Sequence, residues 1–343
     1  AVAAQAEVIP QVTALEDPML VDSFQPISSN SLQTASGRIP NQLTISQKYP
    51  WFGKLRVRGE VAEQEAKIAL TQLAQTQLKV VEEVKAAYYA VYFNEEAIRI
   101  TLASKKPLED LVQLADAKNR AGGSQQDVLR AELELYRLQD RLIQLERQLQ
   151  VAQADLAKLL HASPDIDPRT AEPLDLPSAP DEIDLLYDAA VRCRPELQER
   201  LHAIVRDQRR QELAELQYYP DVTLGAGWQT VTKDDALSLR ANGHDNVAFT
   251  VGINLPIWQD KLRAGVREAE HRTVQSARHY DATRDETFRL IRRLIAQADA
   301  LQQQIELFRG NIIPTARQTL DTSIGEYRVD KVDFEQIIDN WTA

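Results

Sequence analysis

Tyr49-Pro50-Trp51-Phe52-Gly53-Lys54-Leu55-Arg56 returns in outline as Leu255-Pro256-Ile257-Trp258-Gln259-Asp260-Lys261-Leu262-Arg263. Trp51 aligns with Trp258 at an offset of 258 − 51 = 207, and Lys54, Leu55 and Arg56 align with Lys261, Leu262 and Arg263 at the same spacing. Pro107 and Pro314 continue it (314 − 107 = 207). Strand-like segments precede each copy and a long helical pattern follows. Such self-similarity marks one architectural unit used twice, which favours a duct or scaffold over a catalytic domain.

Working outward, the strands come first. Residues 41–49 alternate, with Leu43 and Ile45 on one side and Thr44 and Ser46 on the other. In the second copy Val222, Leu224, Ala226 and Trp228 alternate with Asp221, Thr223, Gly225 and Gly227. After a polar loop over about 230–246, Phe249, Val251, Ile253 and Leu255 alternate with Thr250, Gly252 and Asn254. The reading is a hairpin with one apolar face in each repeat. Residues 1–8 read as the end of a helix stopped by Pro10, 11–27 as irregular or strand, and 28–40 as a loop rich in Ser, Asn and Gly.

Each hairpin feeds a long helix, about 55–119 and about 261–327, kinked at one depth by Pro107 and Pro314. Some 65 helical residues span roughly 100 Å at 1.5 Å per residue. The return helix carries Leu135, Leu138, Leu142, Leu145, Leu149, Ala152, Leu156 and Leu159, a 3–4 spacing that makes a coiled-coil seam.

The implied organisation is a first repeat at 1–162 (strand pair about 11–50, long helix about 55–119, tip 120–127, return helix 127–162). A Pro-rich linker and helical segment at 163–194 joins it to a second repeat at 195–343. That repeat has a helix at 195–218, a strand pair about 221–257, a long helix about 261–327, a tip at 328–335 and a shorter return helix at 335–343. By symmetry with 127–162, the second return helix is expected to run further than Ala343.

Composition excludes several functions. A net charge of −11 argues against nucleic acid, which needs a cationic surface. A solvated acidic surface and a cation-attracting lumen both fit it. Cys193 is alone, so no intrachain disulfide forms. No run reaches the 18 apolar residues of a membrane helix, but membrane strands need only about ten alternating positions. His161, His202, His244, His271 and His279 are scattered without metal-ligand spacing, so no metal or cofactor is expected. Gly225-Ala226-Gly227 lies within a strand pattern and opens no helix, unlike a dinucleotide loop. No nucleophile motif occurs, and an enzyme is not expected.

The ordered set of motifs resembles the TolC-type outer-membrane efflux protein family. It comprises Ser46–Leu55, Gln125-Gln126-Asp127-Val128-Leu129, Arg194-Pro195-Glu196-Leu197, Tyr219-Pro220-Asp221-Val222, Gly252–Trp258 and Tyr327-Arg328-Val329 with Asp333-Phe334. The resemblance implies a mostly α fold of long antiparallel coiled-coil hairpins, with four strands per protomer given to a shared twelve-stranded barrel. It further implies a homotrimer in the outer membrane, with most of its mass in the periplasm, that works with a periplasmic adaptor and an inner-membrane pump. The segment from Lys48 to Lys54 is similar to the heavy-metal branch, although no metal-ligand cluster accompanies it.

The resemblance also implies site residues. Tyr327 corresponds to a tyrosine that bonds an aspartate of the first hairpin, here Asp127, and Asp339 to an acidic residue ringing the narrowest point. A second acidic position falls on Gln336, where this chain departs from the family. A solvated helix charge at Asp339 and ordinary tip packing of Tyr327 and Asp127 are the alternatives. Arg120, Gly122, Gly123, Arg328 and Val329 lie at the tips expected to meet the adaptor. Tyr49, Trp51, Phe52, Tyr219 and Trp258 cluster where strand meets helix, as does Tyr218. A membrane-interface girdle and packing at a helix–sheet junction both explain that cluster. A soluble periplasmic coiled-coil scaffold is the rival to the duct, and it has no need of two apolar-faced hairpins.

Overall fold

A computed structural model describes residues 1–25, 33–34, 37–163, 166, 168–170, 182–233, 239–240 and 243–342. Most of the Pro-rich linker, and much of the loop at 28–40, lie outside the described residues. The chain divides into two compact units, 1–75 with 187–288 and 76–186 with 289–343, each drawing on both sequence repeats.

The first unit holds α1 (Val2–Ala6), α2 (Val8–Thr13), β1 (Met19–Phe24), β2 (Gln33–Thr34), β3 (Gly37–Arg38) and β4 (Asn41–Tyr49). From there α3 (Lys54–Ala103) begins. The chain re-enters this unit at Tyr187, and it then contributes α7 (Pro195–Leu216), β5 (Val222–Thr230), β6 (Asn246–Ile253) and the start of α8 (Gln259–Leu307). The four long strands form one antiparallel sheet in the order β1-β4-β5-β6, so the two hairpins meet at β4 and β5. The β4–β5 register runs from Asn41 opposite Thr230 to Tyr49 opposite Val222, and β6 continues it with Ile253 opposite Val222.

Pro10 does not stop the first helix. It sits inside α2, near its N-terminus, where no amide donor is needed. The strand pair therefore starts at Met19 rather than near residue 11.

Polar contacts fasten α3, α7 and α8 in this unit. Asp207 is buried and accepts a two-pronged bond from Arg206 (2.9 and 3.0 Å) and the Ser276 hydroxyl from α8 (2.6 Å). Burial opposes ionisation of Asp207. The bonds from Arg206 and Ser276, with the charges of Arg206 and Arg210, outweigh it and hold the carboxyl below its ordinary range. Arg210 reaches Glu65 of α3 (2.6 Å), and Arg56 reaches Glu212 of α7 (2.9 Å).

The second unit contains the rest of α3, α4 (Lys105–Arg120), α5 (Gln125–Leu159), α6 (Ile183–Cys193) up to Leu186, and the end of α8. A π-helical turn (Phe308–Ile312), α9 (Ile313–Arg328) and α10 (Phe334–Thr342) complete it. The expected helix 55–119 is thus broken at Ser104, and its counterpart unwinds into the π turn. Both breaks lie on the N-terminal side of a matched proline. Pro107 and Pro314 donate no amide, and their rings crowd the carbonyl four residues back, at Ala103 and Gly310. The first return helix ends at Leu159 rather than 162, with His161 in a left-handed turn at φ 51°. The helical segment expected within 163–194 runs Ile183–Cys193.

The α5 seam keeps its heptad. Leu138, Leu145 and Ala152 are buried seven apart, while Leu135, Leu142 and Leu149 are half-buried between them. Val91 of α3 packs with Ala152 and Leu156. At the tip, Leu108, Leu111 and Ala115 of α4 and Ala131 and Leu138 of α5 join Tyr327, Phe334 and Ile337 in one core. Leu145→Ala should therefore cost about 2–5 kcal/mol in urea unfolding, the range for emptying a packed leucine site. Arg141→Ala, on the wet side of the same helix, should stay within about 0.5 kcal/mol.

Candidate functional site

Alternation and register sort the sheet into two unlike faces. Ile45, Ala226 and Phe249 stand in one cross-strand row, Leu43, Trp228 and Val247 in the next, and Tyr49, Val222 and Ile253 in a third. Leu20 of β1 joins the first row opposite Ile45, and among the paired residues Asp22, Asn41, Gln47 and Thr230 interrupt this face with polar side chains. The other face carries Gln42, Thr44, Ser46, Lys48, Thr223, Gln229 and Thr250, with Gly225 and Gly227 keeping it shallow. It also takes Met19 and Val21 of β1, opposite Ser46 and Thr44.

The apolar face is uncovered. Phe249 is 83% exposed, Val251 68% and Leu20 65%. A row of large hydrophobics this long, left open by its own chain, marks a surface made for an apolar environment. Among the described residues the sheet ends at β1 and β6, and each edge presents backbone donors and acceptors that no strand of this chain takes. No described helix is long and apolar enough to cross a membrane.

Where strand gives way to helix, Trp51 stacks on Tyr219 at 5.4 Å and 12°, and Phe52 meets Trp51 edge-on at 5.8 Å. Tyr49, Phe52, Tyr219 and Trp258 are exposed, Phe52 and Trp258 most of all. Leu15, Tyr49, Trp51, Phe52, Val222 and Leu224 line a groove of about 510 Å³ that continues the apolar face. Beneath the stacked pair lies a polar knot. The Lys54 side chain is fully buried, and its Nζ donates to the Tyr219 carbonyl (2.9 Å) and to Asp221 Oδ1 (2.7 Å). The Trp51 amide donates to the same oxygen (3.1 Å), and Lys48 lies 3.6 Å from Oδ2. This knot ties the start of α3 to the start of β5.

At the tip of the second unit, Gly122 turns the chain with φ +103°, and Gly123 packs so closely that a Cβ would come within 3.0 Å of the Lys118 carbonyl. Asp330 makes the corresponding turn at φ 60°, a conformation aspartate tolerates better than most side chains. Ser124 caps α5 by accepting the Gln126 amide (3.1 Å), which brings Asp127 into the first turn, where the helix dipole favours a carboxylate. The buried Tyr327 hydroxyl donates to Asp127 Oδ2 at 2.9 Å. Burial, then the bond to Asp127 and the charges of Asp127 and Asp330, push the phenol upward, so it remains a proton donor. Lys118 donates to the Tyr327 carbonyl (2.7 Å), and Arg130 pairs with Glu335 (2.9 Å). Asp339 and Gln336 are exposed on α10, whose other side buries Phe334 and Ile337.

A family model described as outer membrane efflux protein matches residues 1–161 and 186–328. The chain belongs to the outer membrane efflux protein family. Its fold is similar to that of the outer membrane protein VceC of Vibrio cholerae, with 19% identity and a TM-score of 0.77 over 99% of this chain and 84% of that one. The CmeC outer membrane channel of Campylobacter jejuni gives 13% and 0.75, over 99% and 74%. The open MtrE outer membrane channel of Neisseria gonorrhoeae gives 18% and 0.71, over 99% and 77%. No curated protein matches the chain. Channels of this family are trimeric passive conduits that work with adaptors and pumps, and they are not enzymes.

In this efflux protein the structure brings Tyr327 and Asp127 together but leaves Asp339 apart from them, facing solvent. Arg120, Gly122, Gly123, Arg328 and Val329 are all exposed at the two turns. No group of three or more potential metal ligands occurs among the described residues. Sequence reasoning missed Lys54, Asp221 and Lys118. The first two stood inside quoted motifs, where a lysine after a glycine and an aspartate after a proline were the available signals.

The knot makes a pH prediction. Burial opposes ionisation of Asp221, but the bonds from Lys54 and the Trp51 amide, with the charges of Lys54 and Lys48, hold its carboxyl below the ordinary 3.8. A lowered carboxyl stabilises the fold above the ordinary value and loses that effect only as pH falls through the lowered one. Hydrogen-exchange protection of the Trp51 amide should therefore persist at about pH 5 and fall only in stronger acid. Loss of protection between about pH 6 and 5 would exclude Asp221 as the group that holds it.

Proposed function

We propose that this efflux protein forms one third of an export duct in the outer membrane, passive in conduction and gated at its periplasmic hairpin tips. The observation that supports it most is the two-faced sheet, apolar and uncovered on one side, mostly polar on the other, and unpaired at both edges among the described residues. Lipid contains nothing to satisfy a free backbone amide, so strands there must close on themselves. Four strands cannot close, whereas three copies supply twelve. The nine residues of β4 extend roughly 30 Å, which a tilt of about 45° reduces to near the apolar band of a membrane barrel. The same closure turns Thr44, Ser46, Thr223 and Thr250 inward, lining a wet passage.

The gate follows from the tips. The bond from Tyr327 to Asp127 ties the second hairpin to the first, and three copies of Asp339 would ring the passage with carboxylates that favour cations and repel anions. The exposed turns at Arg120, Gly122, Gly123, Arg328 and Val329 are offered to a periplasmic adaptor, through which an inner-membrane pump would load the duct. A soluble scaffold would leave the Phe249 face in water with no compensating contact.

Two measurements check this reading. In lipid vesicles Phe249→Arg should cost about 2–4 kcal/mol of unfolding free energy, as a charge does at the middle of a barrel's lipid face. Thr250→Arg, one residue on and facing the lumen, should cost far less, and equal costs would sink the barrel. In planar bilayers Asp339→Ala should weaken block by divalent cations several-fold; unchanged block removes Asp339 from the constriction.

A further inference from the structure

The Tyr327 contact is held from a second direction by a residue that neither motif nor periodicity identifies. Lys118 stands in the last turn of α4, one turn before the Gly122 bend, with its side chain 24% exposed. Its Nζ lies 2.7 Å from the Tyr327 carbonyl, 2.6 Å from Asp330 Oδ1 and 3.6 Å from the centre of the Tyr327 ring. An ammonium has three protons and no lone pair. Here a carbonyl, a carboxylate and a π face all draw on that one group.

The carbonyl contact has a particular cause. Tyr327 lies in the last turn of α9, where carbonyls lack intrahelical donors. The Asp330 amide donates to this oxygen at 3.2 Å, and Lys118 supplies the second bond from the other hairpin. Tyr327 is thereby gripped at its carbonyl and ring face by α4, at its hydroxyl by α5, and edge-on by Phe334 at 5.4 Å. A further polar tie across these tips, Arg130 to Glu335, joins two exposed side chains and is weak by comparison.

We infer that Lys118 is a positioning residue of the tip latch: its ammonium caps α9 from the first hairpin and sets the Tyr327 ring so that its hydroxyl reaches Asp127. The inference rests on the gate proposed above, but its contacts can be tested separately. Without Lys118 the α9 carbonyl loses a charge-assisted bond and the turn at Asp330 loses its counter-charge. Tyr327 then keeps only the Asp127 bond and the Phe334 edge among these named contacts.

The test uses full-length trimers carrying Cys193→Ser, with spin labels introduced through Arg120→Cys and Val329→Cys at the two exposed turns. Pulsed electron resonance reads the distance distribution between them, and bilayer recording reads conductance of the unlabelled variants. Lys118→Met should broaden the distribution and raise the fraction of time open about tenfold, the scale of one charged hydrogen bond. Lys118→Arg should largely restore both. Asp330→Asn, a surface change that leaves the core intact, should broaden the distribution to a smaller degree. In a Tyr327→Phe background Lys118→Met should add little, because the two act through one contact. A distribution unmoved by Lys118→Met, or full additivity with Tyr327→Phe, overturns the assignment. A distribution that broadens while conductance stays fixed upholds the latch and refutes the gate.

Discussion

A backbone amide in lipid must find its partner within protein, and that constraint governs the first unit of this chain. Its four strands come as two hairpins from distant parts of the sequence, joined along β4 and β5. The junction satisfies the inner strands and, among the described residues, leaves β1 and β6 each with an open edge. The alternation that makes one face apolar also leaves that face without cover from its own chain. In the duct proposed here both deficits are met by the same event, the addition of identical sheets in a lipid phase. Hydrogen-bond satisfaction thus calls for strands beyond those of one chain, and channels of this family are trimeric.

The helices of the two units are held by different chemistry. In the first, few apolar side chains are buried between helices, and cohesion falls to polar ties such as Asp207 with Arg206 and Ser276, and Lys54 with Asp221. Exposed ion pairs contribute little singly, so the buried members, Lys54 and Asp207, matter most. In the second unit a heptad seam and a tip core supply ordinary apolar packing. Polar contacts there are concentrated at the turns, where helix ends expose unpaired carbonyls and amides. A latch at those turns can open without dismantling the seam behind it.

Much of the fold was legible because it is periodic. The alternation at 41–49 is β4, the two apolar alternations of the second repeat are β5 and β6, and the 3–4 leucine spacing is the buried stripe of α5. The errors have local causes. Pro10 marks no stop, because proline suits the first turn of a helix. The helical pattern over 55–119 shows only a kink at Pro107, whereas the missing donor and crowded carbonyl there end one helix and start another. The helix ends at Leu159 and Ile183 lie beside the Pro-rich stretch, where no apolar period marks a boundary.

By itself the sequence determined what recurs at short range: strand alternation, helical seams, the matched prolines and the duplicated plan. It also carried the family resemblance that joins Tyr327 to Asp127. Only the tertiary structure decided that Lys54 is buried against Asp221, that Asp207 takes Ser276 as well as Arg206, and that Lys118 grips Tyr327. Periodicity reports which side of an element is apolar, because every residue on that side meets the same environment. A buried hydrogen bond between residues far apart in the chain leaves no such trace, since its partner is chosen by packing geometry rather than by spacing.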